Sequence, residues 1–295
     1  RQTNLKLMNS KLKNFCIRTA SGAVLLLLVV GALVWSKLST AALFAVIMVG
    51  GLIEFYRLCR KRGYKPLSIL GIANAVAIFA LATIVWMLWG SGKPASESIA
   101  DGTSILIFYL VLIAPLTIVC ELWHKSETPL ANIATTIAGV VYVALPLALI
   151  LFIPQLLVGK WSEWAMMSYI VVIWANDVFA YLVGVVIGKH RLCERISPKK
   201  SWEGFFGGVV GAIGVAVLFG YLFEGNLWVW GGLGLVTALT GVAGDLAEAM
   251  LKREADVKDS GAMMPGHGGF LDRFDAMLIS APFVFVYLCI VRMLM

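Results

Sequence analysis

Residues 164–187 read WAMMSYIVVIWANDVFAYLVGVVI. As a helix rising 1.5 Å per residue, this run is long enough to cross the ~30 Å hydrocarbon core of a bilayer. It lacks the apolar/polar alternation of a membrane-barrel strand. Its one ionisable side chain is Asp177. A carboxylate at mid-membrane costs ~2.5–3.5 kcal/mol on insertion scales, which disfavours lipid-facing placement. Two readings of Asp177 fit: it faces a polar cavity or pairs with a cation, or Asn176 and Asp177 make an internal hydrogen-bonded helix contact.

Outward from this run, similar stretches recur at 20–36, 39–56, 67–89, 104–123, 131–153, 204–223, 227–250 and 276–294. Together they predict an all-α, polytopic transmembrane bundle of about nine spans. The first two spans are separated by a very short loop around Lys37. The N-terminal run follows a basic stretch yet has no small-x-small cleavage site, and is read as a retained membrane helix. The expected organisation is an N-terminal membrane region, 1–163, and a C-terminal region, 164–295, carrying the cytoplasmic loops that hold the chemistry. Composition agrees: 60% of residues are hydrophobic and 14% charged, against roughly 25% charged in soluble domains. The five cysteines are dispersed without a CxxC pair, so neither a disulfide framework nor a zinc site is expected.

The net charge of +7 follows membrane topology rather than a nucleic-acid surface, for no aromatic and basic interleaving suits base stacking. A cytoplasmic N-terminus puts 20 of the 24 Lys and Arg residues on the inner face, leaving Lys37, Lys93, Lys160 and Arg292 outside. That asymmetry satisfies the positive-inside rule. Trp86, Trp89, Trp161, Trp164, Trp228 and Trp230 fall near outer interfaces, where indole rings favour the headgroup level.

Two inner-face stretches concentrate the polar chemistry. The first is 188–204, GKHRLCERISPKKSWEG; the second is 252–275, KREADVKDSGAMMPGHGGFLDRFD. In the second, Asp272 and Asp275 stand i, i+3, which at a helix start sets both on one face. Hard oxygen ligands of this kind suit Mg²⁺, which shares its shell with water and substrate phosphates. The bland reading is a solvated helix start stabilised by its dipole. The turn Pro265-Gly-His-Gly-Gly269 lets backbone N–H groups approach phosphate oxygens. Lys252, Arg253, Lys258 and Arg273 supply positive charge for a triphosphate. Metal, backbone donors and cations together are what phosphoryl-type transfer requires.

The stretch AMLKREADVKDSGAMMPGHGGFLDRFD, residues 249–275, resembles the signature of phosphatidate cytidylyltransferases (CDP-diacylglycerol synthases). Gly244-Asp245-Leu246, Ser197-Pro-Lys-Lys-Ser-Trp-Glu-Gly204 and Asp177-x-x-Ala-Tyr181 are similar to that family too, so the resemblance covers about 170–290. Ala249 stands where the family has serine, and Met264 where it has Leu, Ile or Phe. The second is a near-isosteric apolar swap; the first removes a hydroxyl beside the site.

The resemblance implies the reaction CTP + phosphatidate → CDP-diacylglycerol + pyrophosphate, in phospholipid biosynthesis. It implies Mg²⁺, with a second, K⁺-like cation in some members. Carried onto this sequence, Asp272 and Asp275 are metal ligands, with Asp245 and Asp259 as further candidates. Lys252, Arg253, Lys258 and His267 bind phosphate, with Gly268, Gly269 and Arg273 in the same turn. Ser197, Lys199, Lys200 and Ser201 are candidates for nucleotide or lipid-headgroup contact, and Asp177 lines the cavity. The expected catalytic set is Asp272, Asp275, Lys258, Asp259 and His267. The expected partners are CTP, phosphatidate and membrane lipid, with no nucleic acid; a homodimer is left open. The expected location is a bacterial cell membrane, with the site on the cytoplasmic side. The competing readings are another CTP-dependent lipid cytidylyl- or phosphotransferase, and a secondary transporter. Against a transporter stands the lack of paired Gly/Pro-broken spans in two halves.

Overall fold

A computed structural model of the chain describes residues 21–89, 96–261 and 268–295. It is a bundle of α-helices: α1 (Ser21–Trp35), α2 (Lys37–Lys61), α3 (Ser68–Leu88), α4 (Ser96–Glu121), α5 (Pro129–Gly139), a π-turn (Val140–Ala144), α6 (Leu145–Ile150), α7 (Ile153–Val158), α8 (Glu163–Ile187), α9 (Trp202–Leu222), α10 (Leu227–Glu254) and α11 (Leu271–Leu294). Among the described residues, eight helices, with α5 through α6 counted as one, are long and apolar enough to cross a membrane, and α1 is a shorter apolar helix. The chain is thus an all-α polytopic membrane protein.

Local chemistry sets the helix starts. The first two spans break at Ser36, one residue before the expected Lys37. Ser36 and Ser39 form a reciprocal capping box, at 3.1 and 3.0 Å, which satisfies two N-terminal donors at once. Ser162, Ser201 and Asn226 cap α8, α9 and α10. The span expected at 131–153 is helical but interrupted: the π-turn divides α5 from α6. The final helix begins at Leu271, five residues earlier than the apolar run suggests, where Glu54 accepts from its first N–H and Asp272 accepts from Gly269 N just before it. The 188–203 connection holds a small antiparallel hairpin, β1 (Arg191–Cys193) and β2 (Ser197–Ser201). Strands were not expected here; the segment is polar and its backbone pairs with itself rather than with a bilayer-spanning sheet.

The tryptophans expected near the outer interface differ in exposure. Trp164 and Trp228 are exposed, as an interfacial belt requires, but Trp86 and Trp230 are 0% and 1% exposed. Trp86 sits edge-on to Trp161 at 4.8 Å between ring centroids, with the Lys37 ammonium 5.4 Å from its ring. These rings are packing partners at the span ends.

Helices α8 and α9 approach closely along small residues. A Cβ on Gly208 would stand 2.8 Å from the Asn176 carbonyl oxygen, so only glycine permits this spacing, as in GxxxG-type membrane interfaces. Gly244 does the same for α10 and α11: a Cβ there would lie 2.5 Å from the Asp275 carbonyl oxygen. That approach brings the ends of these two helices together. Helix α11 also packs on α2, α6 and α7, and one apolar core runs through both halves of the chain.

Candidate active site

Where α8, α9, α10 and the hairpin meet there is a cavity of about 460 Å³. Its polar wall comprises Asp177, Ser197, Lys199, Lys200, Ser201 and Asp245. Lys200, on β2, forms an ion pair with Asp245. Burial pushes the Lys200 ammonium below its usual pKa, while the nearby carboxylates of Asp177 and Asp275 oppose that shift. Ser201 is committed to the cap of α9, accepting from Gly204 N at 3.2 Å.

A second cavity, about 410 Å³, lies between α1, α2, α8 and α11. Most of its wall is apolar, including Leu25, Phe44, Trp174 and Met277, but Asp177, Asp272 and Asp275 also border it. Asp177 therefore stands on the wall of both cavities.

Beside this junction lies a dense polar network. Lys252 Nζ is shared between Glu248 Oε2 at 2.5 Å and Asp272 Oδ1 at 2.6 Å. Asp272 Oδ2 accepts from Ser260 N (2.9 Å), Ser260 Oγ (2.9 Å) and Gly269 N (2.8 Å). Glu54, on α2 and 4% exposed, accepts from Leu271 N and lies near Ser260 Oγ, each at 3.0 Å. The single Ser260 hydroxyl proton serves Glu54 or Asp272, one at a time. One orphan donor at the start of α11, Leu271 N, is thus met by a carboxylate from a distant helix, where the helix dipole also favours negative charge, while Asp272 takes the Gly269 N–H just before the helix.

The sequence-predicted residues divide into groups. Asp177, Ser197, Lys199, Lys200, Ser201 and Asp245 come together in the first cavity. Asp272 and Asp275 both border the second cavity, but their hydrogen-bond partners differ. Asp272 is engaged by four donors, whereas Asp275 accepts from Ala276 N at 2.8 Å and faces Asp177 and Lys200 electrostatically. Lys252 is half-buried in the network. Arg253, Lys258 and Asp259 are exposed and border neither cavity. Arg273 is exposed at the rim of the second cavity. Gly268 has φ +83°, a left-handed conformation that favours glycine, and Gly269 donates to Asp272. Met264 and His267 lie outside the described residues. Glu54 is not among the residues singled out from the sequence. The signal for Glu54 was available: it is the one acid inside the 39–56 run, and such residues are functional candidates by default.

The first cavity and its junction hold three carboxylates, Asp177, Asp245 and Asp275, with Lys200 as the basic side chain between them. An oxygen-only, net-negative donor set fits a hard divalent cation. Among the described residues no group of three or more His, Cys, Asp or Glu side chains is placed to hold a metal ion.

Residues 16–291 match the sequence profile of the cytidylyltransferase family. The chain is 32% identical over 259 residues to a phosphatidate cytidylyltransferase of Mycobacterium bovis, covering 86% of this chain and 82% of that one. It is 31% identical over 275 residues to a protein of the same name from Synechocystis sp., covering 84% and 87%. Similarity to the Staphylococcus aureus protein of that name is more local and stronger, 44% over 119 residues, covering 40% and 46%.

Proposed function

The chain belongs to the cytidylyltransferase family, and from that premise we propose that it is a CTP:phosphatidate cytidylyltransferase forming CDP-diacylglycerol and pyrophosphate. Relatives bearing that name align over most of their length. The observation that carries the reading is the position of Asp177 on the wall of two cavities, one bearing Lys199, Lys200 and Asp245 and the other reaching Asp272 and Asp275. A nucleotide triphosphate suits the first, where Lys199 and Lys200 lie. A diacylated phosphate suits the second, whose apolar wall takes acyl chains while its acidic end meets the nucleotide cavity.

In the reaction a phosphate oxygen of phosphatidate attacks the α-phosphorus of CTP. A new P–O–P bond forms, the bond from the α-phosphorus to the β-phosphate bridge breaks, and its electron pair leaves with pyrophosphate. The nucleophile is already anionic, so no strong general base is needed. The difficulty is repulsion between two polyanions. Lys200 and Lys199 offset it at the nucleotide. Lys252, clamped between Glu248 and Asp272, fixes the end of α10 against the start of α11 and so holds Asp245 and Asp275 in place. Asp245 and Asp275 would hold Mg²⁺, with Asp177 beside them; bound there, the ion would neutralise phosphate charge and stabilise the leaving pyrophosphate. A second cation is part of the same proposal.

The predominantly basic inner loops support a cytoplasmic site, with the N-terminus on the same side; bacterial relatives support a bacterial membrane. The deciding experiment supplies labelled CTP and phosphatidate to the purified chain. Label from the α-phosphate should enter lipid. Label from the γ-phosphate would instead indicate a lipid kinase, and no incorporation would defeat the assignment.

A further inference from the structure

Helices α2, α5 and α10 enclose a third cavity of about 370 Å³, within the ~300–1,000 Å³ common for ligand pockets. It shares no lining residue with the two cavities of the candidate site. Phe55 and Leu58 on α2, Ala134 and Ala138 on α5 and Leu251 on α10 make it an apolar slot. The three helices belong to membrane spans. Ala134 and Ala138 are exposed, so the slot is open along α5. An open apolar slot between membrane spans meets acyl chains rather than water.

The slot has a charged rim. Arg62 is the C-cap of α2 and Glu254 the last residue of α10, and both line the cavity. Arg62 Nε stands 3.6 Å from Glu254 Oε1, with the two side chains 50% and 45% exposed. That separation is beyond hydrogen-bond reach, and an exposed ion pair of this kind is worth little. The guanidinium therefore keeps its planar fork for a phosphate, which it binds bidentately. Glu254 lies at the negative end of the α10 dipole, where a carboxylate gains from a cationic partner. One cation and one anion above an apolar slot complement a zwitterionic phospholipid better than a purely anionic one. A primary ammonium brings three N–H donors to a carboxylate; a trimethylated one brings none.

We propose that this cavity binds a phospholipid with a primary-ammonium headgroup: its phosphate pairs with Arg62, its ammonium with Glu254, and an acyl chain lies along Ala134 and Ala138. The bound lipid bridges α2, α5 and α10. Two of these helices carry the carboxylate network, since Phe55 follows Glu54 on α2 and Leu251 precedes Lys252 on α10. Occupancy thus braces the helix ends that hold the start of α11. The site is separate from the one assigned to CTP and phosphatidate, and binding there does not depend on the reaction.

The test titrates the detergent-solubilised chain with phosphatidylethanolamine, phosphatidylcholine or phosphatidylglycerol of identical acyl chains. Retained lipid is counted by native mass spectrometry, and the thermal unfolding midpoint is followed in parallel. Phosphatidylethanolamine should bind about tenfold more tightly than either of the others, the scale of one charge-assisted hydrogen bond, and should raise the midpoint most. Glu254→Gln should bring it down to the level of phosphatidylcholine. Arg62→Gln should weaken all three lipids, and Ala134→Leu, which fills the slot, should abolish their retention. Equal retention of phosphatidylethanolamine and phosphatidylcholine by the parent overturns the proposal, as does tighter retention of phosphatidylglycerol or no retention at all. A preference that survives Glu254→Gln overturns it too. If Ala134→Leu does not fold, the Glu254→Gln comparison decides, because that side chain is half exposed and its replacement is nearly isosteric. Neither readout uses CTP, so failure of the cytidylyltransferase reading and failure of the lipid site are told apart.

Discussion

The Glu54 carboxylate on α2 accepts a hydrogen bond at 3.0 Å from the backbone N–H of Leu271, the first residue of α11. This bond ties the second membrane helix to the last. It places the start of α11, and with it Asp272 and Asp275, under the control of a side chain far away in sequence.

Glu54→Ala should therefore loosen the site from a distance. It strands the Leu271 N–H, a loss of ~1–3 kcal/mol for a buried unsatisfied donor. Thermal unfolding in detergent should show a lower midpoint, and CDP-lipid formation should fall with it. Glu54→Gln, which keeps a carbonyl acceptor, should recover part of the stability. An unchanged midpoint in Glu54→Ala would mean that the cap on α11 carries no weight.

Asp275 and Asp272 should respond differently to the same change. Asp275→Asn should lower Mg²⁺-dependent turnover by ~10²-fold or more while leaving the unfolding midpoint near the parent's, because its carboxylate holds little of the surrounding structure. Asp272→Asn should lower both turnover and midpoint, since it weakens the Lys252 pair and the bonds from Ser260 and Gly269. Near-normal turnover in Asp275→Asn would remove that residue from the metal site.

Chelation by EDTA should silence the purified chain, and added Mg²⁺ should restore it. The oxygen-only donor set around Asp177, Asp245 and Asp275 motivates this expectation. Activity that persists in chelator would contradict the metal's role.

Topology is checked with single cysteines in a background whose five native cysteines are replaced by serine. A cysteine at position 195, in the turn of the hairpin, should react with an impermeant reagent only from the cytoplasmic side. One at position 160, between α7 and α8, should react from outside. The reverse pattern would invert the assigned orientation.

The spans were legible because a bilayer leaves few options: backbone groups in hydrocarbon must be bonded within the segment, so long apolar runs are helices. The same logic makes Asp177 and the polar loops stand out. The motif residues could be named from their spacing and from their resemblance to a family, but linear order holds no information about which side chains meet. Glu54 does not belong to the quoted motifs and is far from them in the chain. Only packing brings α2 and the π-turn against α11, and only packing separates the partners of Asp272 from those of Asp275. Composition fixes which segments leave water. The contacts between those segments depend on close approach at residues such as Gly208 and Gly244 and on the pairing of buried polar groups, and these belong to the assembled bundle.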